Sequence, residues 1–173
     1  KAYMRDQFEF FGIKTPERRA LVRELVKEQG LPKLPQLEQV VGRLWAEPQR
    51  ELQHCAMELL HRRVKELDLG HLPLLETMVT NKSWWDTVDF ISYKLVGALL
   101  ARHPQKERTI ARRFSKSDNL WLNRVSIIFQ LLRKEATDTM LLEEVICRHA
   151  DRDDFFIRKA IGWALRDYAY TDP

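Results

Sequence analysis

The stretch Lys82-Ser83-Trp84-Trp85-Asp86-Thr87-Val88-Asp89 decides how the rest of the chain is read. Ser83 followed three residues later by an acid is the pattern of a helix N-terminus: the hydroxyl takes a backbone N–H and the carboxylate reaches back. Similar punctuation recurs along the chain. Glu47-Pro48 places proline where a first-turn N–H has no partner anyway. Asp118-Asn119 and Asp153-Asp154 are N-cap material ahead of apolar runs. The helix starts so marked are Pro48, Ser83, Asp118 and Asp153, each 35 residues after the one before.

The same period runs inside the segments. Leu37, Leu72 and Leu142 share one register, interrupted by Glu107; Val40, Leu75, Ile110 and Val145 share a second, and Leu44, Val79 and Phe114 a third. Within each short segment these positions fall at i, i+3 and i+7, one face of a helix. The longer segments repeat Leu52, Leu122 and Ile157, then Cys55, Phe90, Val125 and Ala160. The pattern predicts an all-α fold, a HEAT-like repeat α-solenoid of antiparallel helix pairs with a concave groove. Four repeats of about 35 residues occupy 34–170, each burying its apolar face against its neighbours. Tetratricopeptide arrays have a similar period but need a Trp-Leu-Gly-Tyr pattern that this chain lacks. Two further helices, Ala2–Phe10 and Pro16–Gln29, form an irregular N-terminal pair within 1–30. The second opens at Thr15-Pro16-Glu17 and closes at Gly30. No linker interrupts residues 1–173, which read as a single domain trimmed at both ends.

Composition removes several alternatives. With 45% hydrophobic and 31% charged residues the chain is neither disordered nor fibrous. No apolar run approaches the roughly 20 residues that span a bilayer, so no membrane is expected. Six Gly and seven Pro are few for a turn-rich β protein. Cys55 and Cys147 show no CxxC spacing, which excludes a disulfide framework or zinc site and suits a reducing compartment. Both read as small buried apolar residues. The five His show no HExxH spacing, and neither a Gly-rich phosphate loop nor a GxSxG elbow is present, so no metal is expected. The excess of 29 Lys+Arg over 25 Asp+Glu is only a mild preference for an anionic partner.

Placement of charge says more than its sum. Aligned on their starts, the long helices put His54, Asp89, Arg124 and Lys159 in one column, and four positions later Glu58, Tyr93, Ile128 and Trp163. Trp85 shares a helical face with Asp89, Trp121 with Arg124, and Lys159 with Trp163. Adjacent helices in such a stack lie about 8–10 Å apart, so Asp89 and Arg124 can reach one ligand. Of the adjacent Trp84 and Trp85, one turns away from the core if the other faces it, because helix neighbours lie about 100° apart. Plainer readings exist for each residue. Tryptophan and phenylalanine at helical spacing are common core, Asp86 is a natural cap, and Arg18-Arg19, Arg62-Arg63, Arg112-Arg113 and Arg133-Lys134 suit solvated faces.

At these residues the chain resembles the AlkD-type DNA alkylation-repair glycosylases, which are built of HEAT-like repeats. The resemblance lies in Lys82–Asp89, in Ser117-Asp118-Asn119-Leu120-Trp121-Leu122-Asn123-Arg124, and in Phe155-Phe156-Ile157-Arg158-Lys159-Ala160-Ile161-Gly162-Trp163, running on through Leu165-Arg166-Asp167-Tyr168-Ala169. Near the start, Tyr3-Met4-Arg5 and Phe11–Arg19 also match. The resemblance implies Asp89 as the catalytic aspartate, Trp85, Trp163 and Tyr3 as lesion-pocket residues, and Arg124 as a DNA contact near the reacting sugar. Thr15, Arg18 and Arg19 match a helix N-terminus that contacts the DNA backbone, where free N–H groups also meet phosphate. Lys159, in the Asp89 column, is a further DNA contact.

The implied reaction is hydrolysis of the N-glycosidic bond of cationic N3- or N7-alkylated purines in duplex DNA, a base excision repair step needing no cofactor. Double-stranded DNA carrying such purines is the expected partner, a monomer the expected state, and the cytoplasm the expected location, on the nucleoid through DNA. The family continues past its IGW helix, whereas this chain stops at Thr171-Asp172-Pro173 and reads as a fragment. A non-catalytic HEAT-like scaffold for DNA or protein is the alternative, and Lys159 leaves a lyase reaction open.

Overall fold

The computed structural model describes residues 4–172, so Ala2 and Tyr3 lie outside the described residues. Chain contacts define two compact units, Lys1–Glu66 and Leu67–Pro173. The first holds α1 (Thr15–Gln29), α2 (Leu34–Ala46) and α3 (Arg50–Arg62). The second holds α4 (Leu72–Thr80), then α5 (Trp85–Phe90) running through a π-helical turn, Ile91–Val96, into α6 (Gly97–Ala101). It continues with α7 (Pro104–Ser115), α8 (Leu120–Ile128), α9 (Thr139–His149) and α10 (Phe155–Ala169). Among the described residues there is no strand, and an isolated bridge joins Glu9 to Gln49. The fold is all-α.

The period survives, displaced by two residues. Long helices begin at Arg50, Trp85, Leu120 and Phe155, each 35 after the last, rather than at Pro48, Ser83, Asp118 and Asp153. At α5 the displacement has a clear cause. Ser83 Oγ donates to the Val79 carbonyl at 2.6 Å, so it closes α4 instead of opening α5. The N-cap is Trp84, in an extended conformation with no side-chain cap. The first and third repeats use an amide there instead. Gln53 Nε2 donates to the carbonyls of Glu47 at 2.6 Å and Leu44 at 3.4 Å. Two periods on, Asn123 Nδ2 donates to Ser117 at 2.8 Å and Phe114 at 3.0 Å. Leu44, Val79 and Phe114 occupy one register. The short helices α2, α4 and α7 thus each have a side-chain donor for C-terminal carbonyls they cannot satisfy themselves. At α8, Asn119 is the N-cap the sequence suggests, accepting from the N–H groups of Trp121 and Leu122.

Packing follows the expected register in the second unit, where Leu75, Val79, Val125, Ile157 and Ala160 are all buried. In α2 the inner face is Leu37, Val41 and Trp45, one residue beyond the expected Val40 and Leu44. Glu107, the interruption in the first register, is buried and receives Arg133 Nη1 at 2.8 Å on both oxygens. Arg133 Nη2 reaches the Gly97 carbonyl at 2.7 Å. Gly97 is required by close approach, since a Cβ there would lie 2.2 Å from the Phe129 carbonyl oxygen. Cys55 is half-buried, and Cys147 is exposed rather than core, because α9 turns Leu141, Leu142 and Val145 inward.

The helix expected over Ala2–Phe10 does not form in its described part. Arg5 and Asp6 have φ of 50° and 53°, left-handed values that no right-handed helix contains. The chain runs instead beside α3. Arg50 N–H donates to the Glu9 carbonyl at 2.9 Å, and the Glu51 carboxylate takes the N–H groups of Phe11, Gly12 and Ile13.

Asn123→Ala leaves the α7 carbonyls buried without a partner, and a loss of about 1–3 kcal/mol is expected. Urea unfolding measures it, and an unchanged midpoint and slope would show that the amide is dispensable.

Candidate functional site

The Asp89 column becomes an ion pair. Asp89 lies on α5 and Arg124 one period later on α8. Their side chains meet bidentately: Arg124 Nε donates to Oδ1 at 2.7 Å and Nη2 donates to Oδ2 at 2.9 Å. Arg124 Nη1 donates to the main-chain carbonyl of Phe156, at the start of α10. Three successive long helices therefore meet at one guanidinium. The pair is withdrawn from solvent, with side-chain exposures of 5% for Arg124 and 16% for Asp89. Each carboxylate oxygen spends one lone pair on Arg124 and retains capacity for a second partner.

Burial sets the electrostatics. It pushes the Asp89 carboxyl above its ordinary value, the hydrogen bond and charge of Arg124 pull it down without cancelling the rise, and Asp86 adds to it. Asp86, expected as a capping acid, is a second negative charge on the same helix.

Aromatic residues divide into two groups around this pair. Trp84, Trp121 and Phe156 pack ring to ring, with centroids 6.0 Å apart for Trp84 and Trp121 and 4.9 Å for Trp121 and Phe156. Trp84 is the member of the double tryptophan that joins this cluster. Trp85 opens α5, half-buried, one turn before Asp89. Trp163 is half-buried on α10 and meets Tyr93 edge-on at 6.1 Å. Tyr93 is four residues past Asp89, within the π-helical turn, a feature that often marks functional sites. It shares Trp163's column, a signal visible in the sequence but not used to single it out. The Phe156 carbonyl, by contrast, has no sequence signal at all.

Lys159 does not join the ion pair. It is exposed, its ammonium 5.7 Å over the Phe155 ring, beside a cleft of about 390 Å³ lined by Asp153, Phe155, Arg158 and Lys159. The second unit's other arginines are largely spent on acids. On α7, Arg108 pairs with Asp138, Arg112 with Glu144 and Arg113 with Glu76. The exposed cations of α10 are Arg158, Lys159 and Arg166.

In the first unit, Thr15 is exposed at the start of α1 with no side-chain cap on its first turn. Arg18 is buried, donating to Glu58 at 2.8 Å, and Arg19 donates to the same oxygen at 3.0 Å while staying 59% exposed. Burial works against the ionised Glu58, but the bonds and charges of Arg18 and Arg19 outweigh it and hold the carboxyl below its usual value. Arg18 is thus engaged inside the unit, whereas Thr15 and Arg19 face solvent. His54 lies on α3 of this unit, and Tyr3 is outside the described residues. Among the described residues, no cluster of three His, Cys, Asp or Glu is placed to hold a metal ion, and no helix is long and apolar enough to cross a membrane.

Arg124→Ala strands a buried carboxylate, at an expected cost of about 3 kcal/mol near neutral pH. In that variant burial and Asp86 alone act on Asp89, so its folded pKa stands further above the unfolded value. The folded state then binds the proton more readily, and stability falls as pH rises through that interval. Urea denaturation near pH 4 and pH 7 should show the smaller loss at the lower pH; equal losses would contradict the stranded charge.

Comparison with known proteins places these features in a family. The family model described as "DNA alkylation repair enzyme" matches residues 1–173. A solved structure described as a predicted DNA alkylation repair enzyme from Enterococcus faecalis is 37% identical, with a TM-score of 0.91 over 99% of this chain and 80% of that one. No curated protein matches. An all-α chain with this architecture, matched along its whole length, belongs to the DNA alkylation repair enzyme family.

Proposed function

We propose that the protein is a monofunctional DNA glycosylase that hydrolyses the N-glycosidic bond of cationic N3- or N7-alkylated purines in duplex DNA, as a step of base excision repair. One observation carries the reading: the Asp89 carboxylate, one turn from Trp85 on α5, is withdrawn from solvent and fixed bidentately by Arg124.

The chemistry asks for such a group. Alkylation leaves the purine positively charged. When the C1′–N bond breaks, its electron pair goes to the base, which departs neutral without a proton donor. The sugar is left as an oxocarbenium-like cation, and a fixed carboxylate in a desolvated site stabilises it without reorganisation. Water, oriented by Asp89, then adds to C1′ and gives up its proton to bulk solvent. Arg124 acts in this reading by holding Asp89, since its guanidinium is engaged by Asp89 and the Phe156 carbonyl.

Trp85 and Trp163 supply the base-recognition surface. A cation gains about 0.5–2 kcal/mol from an aromatic face, more when desolvated, whereas a neutral base gains less. Lys159, with Arg158 and Arg166 on α10 of the second unit, supplies contacts to the DNA backbone, and Thr15 and Arg19 on α1 of the first unit supply others, so binding weakens with salt. We read the protein as a monomer acting on the nucleoid. A scaffold without chemistry is the competing reading.

Release of 7-methylguanine from methylated duplex DNA separates the two. Wild type should release the base, and Asp89→Asn should lose at least about 100-fold, the scale of one electrostatic catalytic group, while still binding DNA. Equal release by both would remove Asp89 from the mechanism, and no release by either would favour the scaffold.

A further inference from the structure

The rings of Trp84, Trp121 and Phe156 meet where α5, α8 and α10 begin. Besides the two contacts already described, Trp84 packs edge-on to Phe156 at 5.2 Å. Trp121 and Phe156 occupy one register, a period apart. The residue of that register on α5 is Asp86, which has no ring. Trp84 supplies the missing ring from two residues earlier, and its extended φ of −157° and ψ of 159° goes with that displaced position. Helix capping does not ask for this residue, since Trp84 makes no side-chain cap. Its indole Nε1 is buried with no hydrogen-bond partner among the described residues, a cost to folding.

From this cluster a chain of bonds leads to the carboxylate. The Phe156 carbonyl accepts from Arg124 Nη1, and the same planar guanidinium holds both oxygens of Asp89. We propose that Trp84, Trp121 and Phe156 form an aromatic wedge that positions Asp89 through Arg124. Ring contacts fix the first turn of α10 against α5 and α8. That turn fixes the Phe156 carbonyl, the carbonyl fixes the plane of the guanidinium, and the guanidinium fixes the carboxylate. The three rings are positioning residues and need touch neither sugar nor base. The inference rests on the role given to Asp89 under the proposed function.

The test compares Trp84→Leu and Phe156→Leu, which remove a ring but keep bulk and the main-chain carbonyl, with Trp84→Phe, which restores a ring. Single-turnover release of 7-methylguanine is followed at saturating enzyme from about pH 4 to pH 8, with duplex affinity and thermal melts measured alongside. The charged groups bearing on Asp89 are Arg124 from α8 and Asp86 from its own helix. Loosening Arg124 leaves burial and Asp86 in control, so the acid limb of the rate moves to higher pH.

For Trp84→Leu we expect release to slow by about 10- to 100-fold, the scale of a small misplacement of reacting groups, with duplex affinity nearly unchanged and the acid limb displaced upward. Trp84→Phe should recover most of the rate. A folded variant with the wild-type rate overturns the proposal, as does a loss that only tracks the folded fraction with the acid limb unmoved. If Trp84→Leu does not fold, Phe156→Leu is judged by the same criteria. Failure of both to fold also overturns it, because the rings then serve the unit as a whole. A wild type that releases no base, or an Asp89→Asn variant as fast as wild type, refutes instead the reading of Asp89 on which the wedge depends.

Discussion

Placing a carboxylate in a desolvated site is costly, and the second unit meets that cost with a guanidinium one repeat away. Neither member of the pair is tolerable alone: an unpaired buried charge costs several kcal/mol, and the fork of Arg124 suits both oxygens of Asp89 at once. The constraint propagates outward. The 35-residue period must hold between α5 and α8 for the two side chains to meet, and the start of α10 must present the Phe156 carbonyl to the third nitrogen. Much of the unit's other polar machinery keeps successive helices in that register. Asn123 closes α7, Ser83 closes α4, and Arg133 ties Glu107 to the Gly97 carbonyl. A buried ion pair is weak evidence for stability in itself. Here it makes better sense as a way of keeping one negative charge in a fixed, poorly solvated place.

Much of this was legible in the sequence because a repeat reports the same physical requirement several times. The recurrence of Leu75, Ile110 and Val145 predicts a buried face, and it is buried. Asp89 and Arg124 share one column of the 35-residue register, and their side chains meet. What escaped has identifiable causes. Ser83 satisfies both an N-cap and a C-terminal reading, and only the position of the Val79 carbonyl decides between them. The bonds of the Glu51 carboxylate to Phe11, Gly12 and Ile13 connect residues about 40 apart outside the period, so no pattern announced that residues 9–13 would leave the helical state. Main-chain groups such as the Phe156 carbonyl carry no side-chain signature whatever.

The arginines show why formal net charge is a poor guide. A surplus of four cations says little when Arg18, Arg108, Arg112, Arg113, Arg124 and Arg133 are each committed to an acid. The exposed pairs among these, made by Arg108, Arg112 and Arg113, add little stability, but all six remove a cation from the set available to an anionic partner. On α10 the balance differs: Lys159 and Arg166 are exposed on the helix that carries Phe155 and Trp163, and exposed Arg158 makes only a long 4.0 Å approach to Asp153.

The central claim is that Asp89 works as a fixed negative charge beside a leaving group that already carries its own positive charge, with no proton donated to the base. The most direct measurement is the single-turnover release, by wild type near neutral pH, of 7-methylguanine compared with hypoxanthine, a neutral purine, from otherwise identical duplexes. The account predicts release of the cationic base and none of the neutral one. Comparable rates for both would require a proton donor at the site and would contradict it.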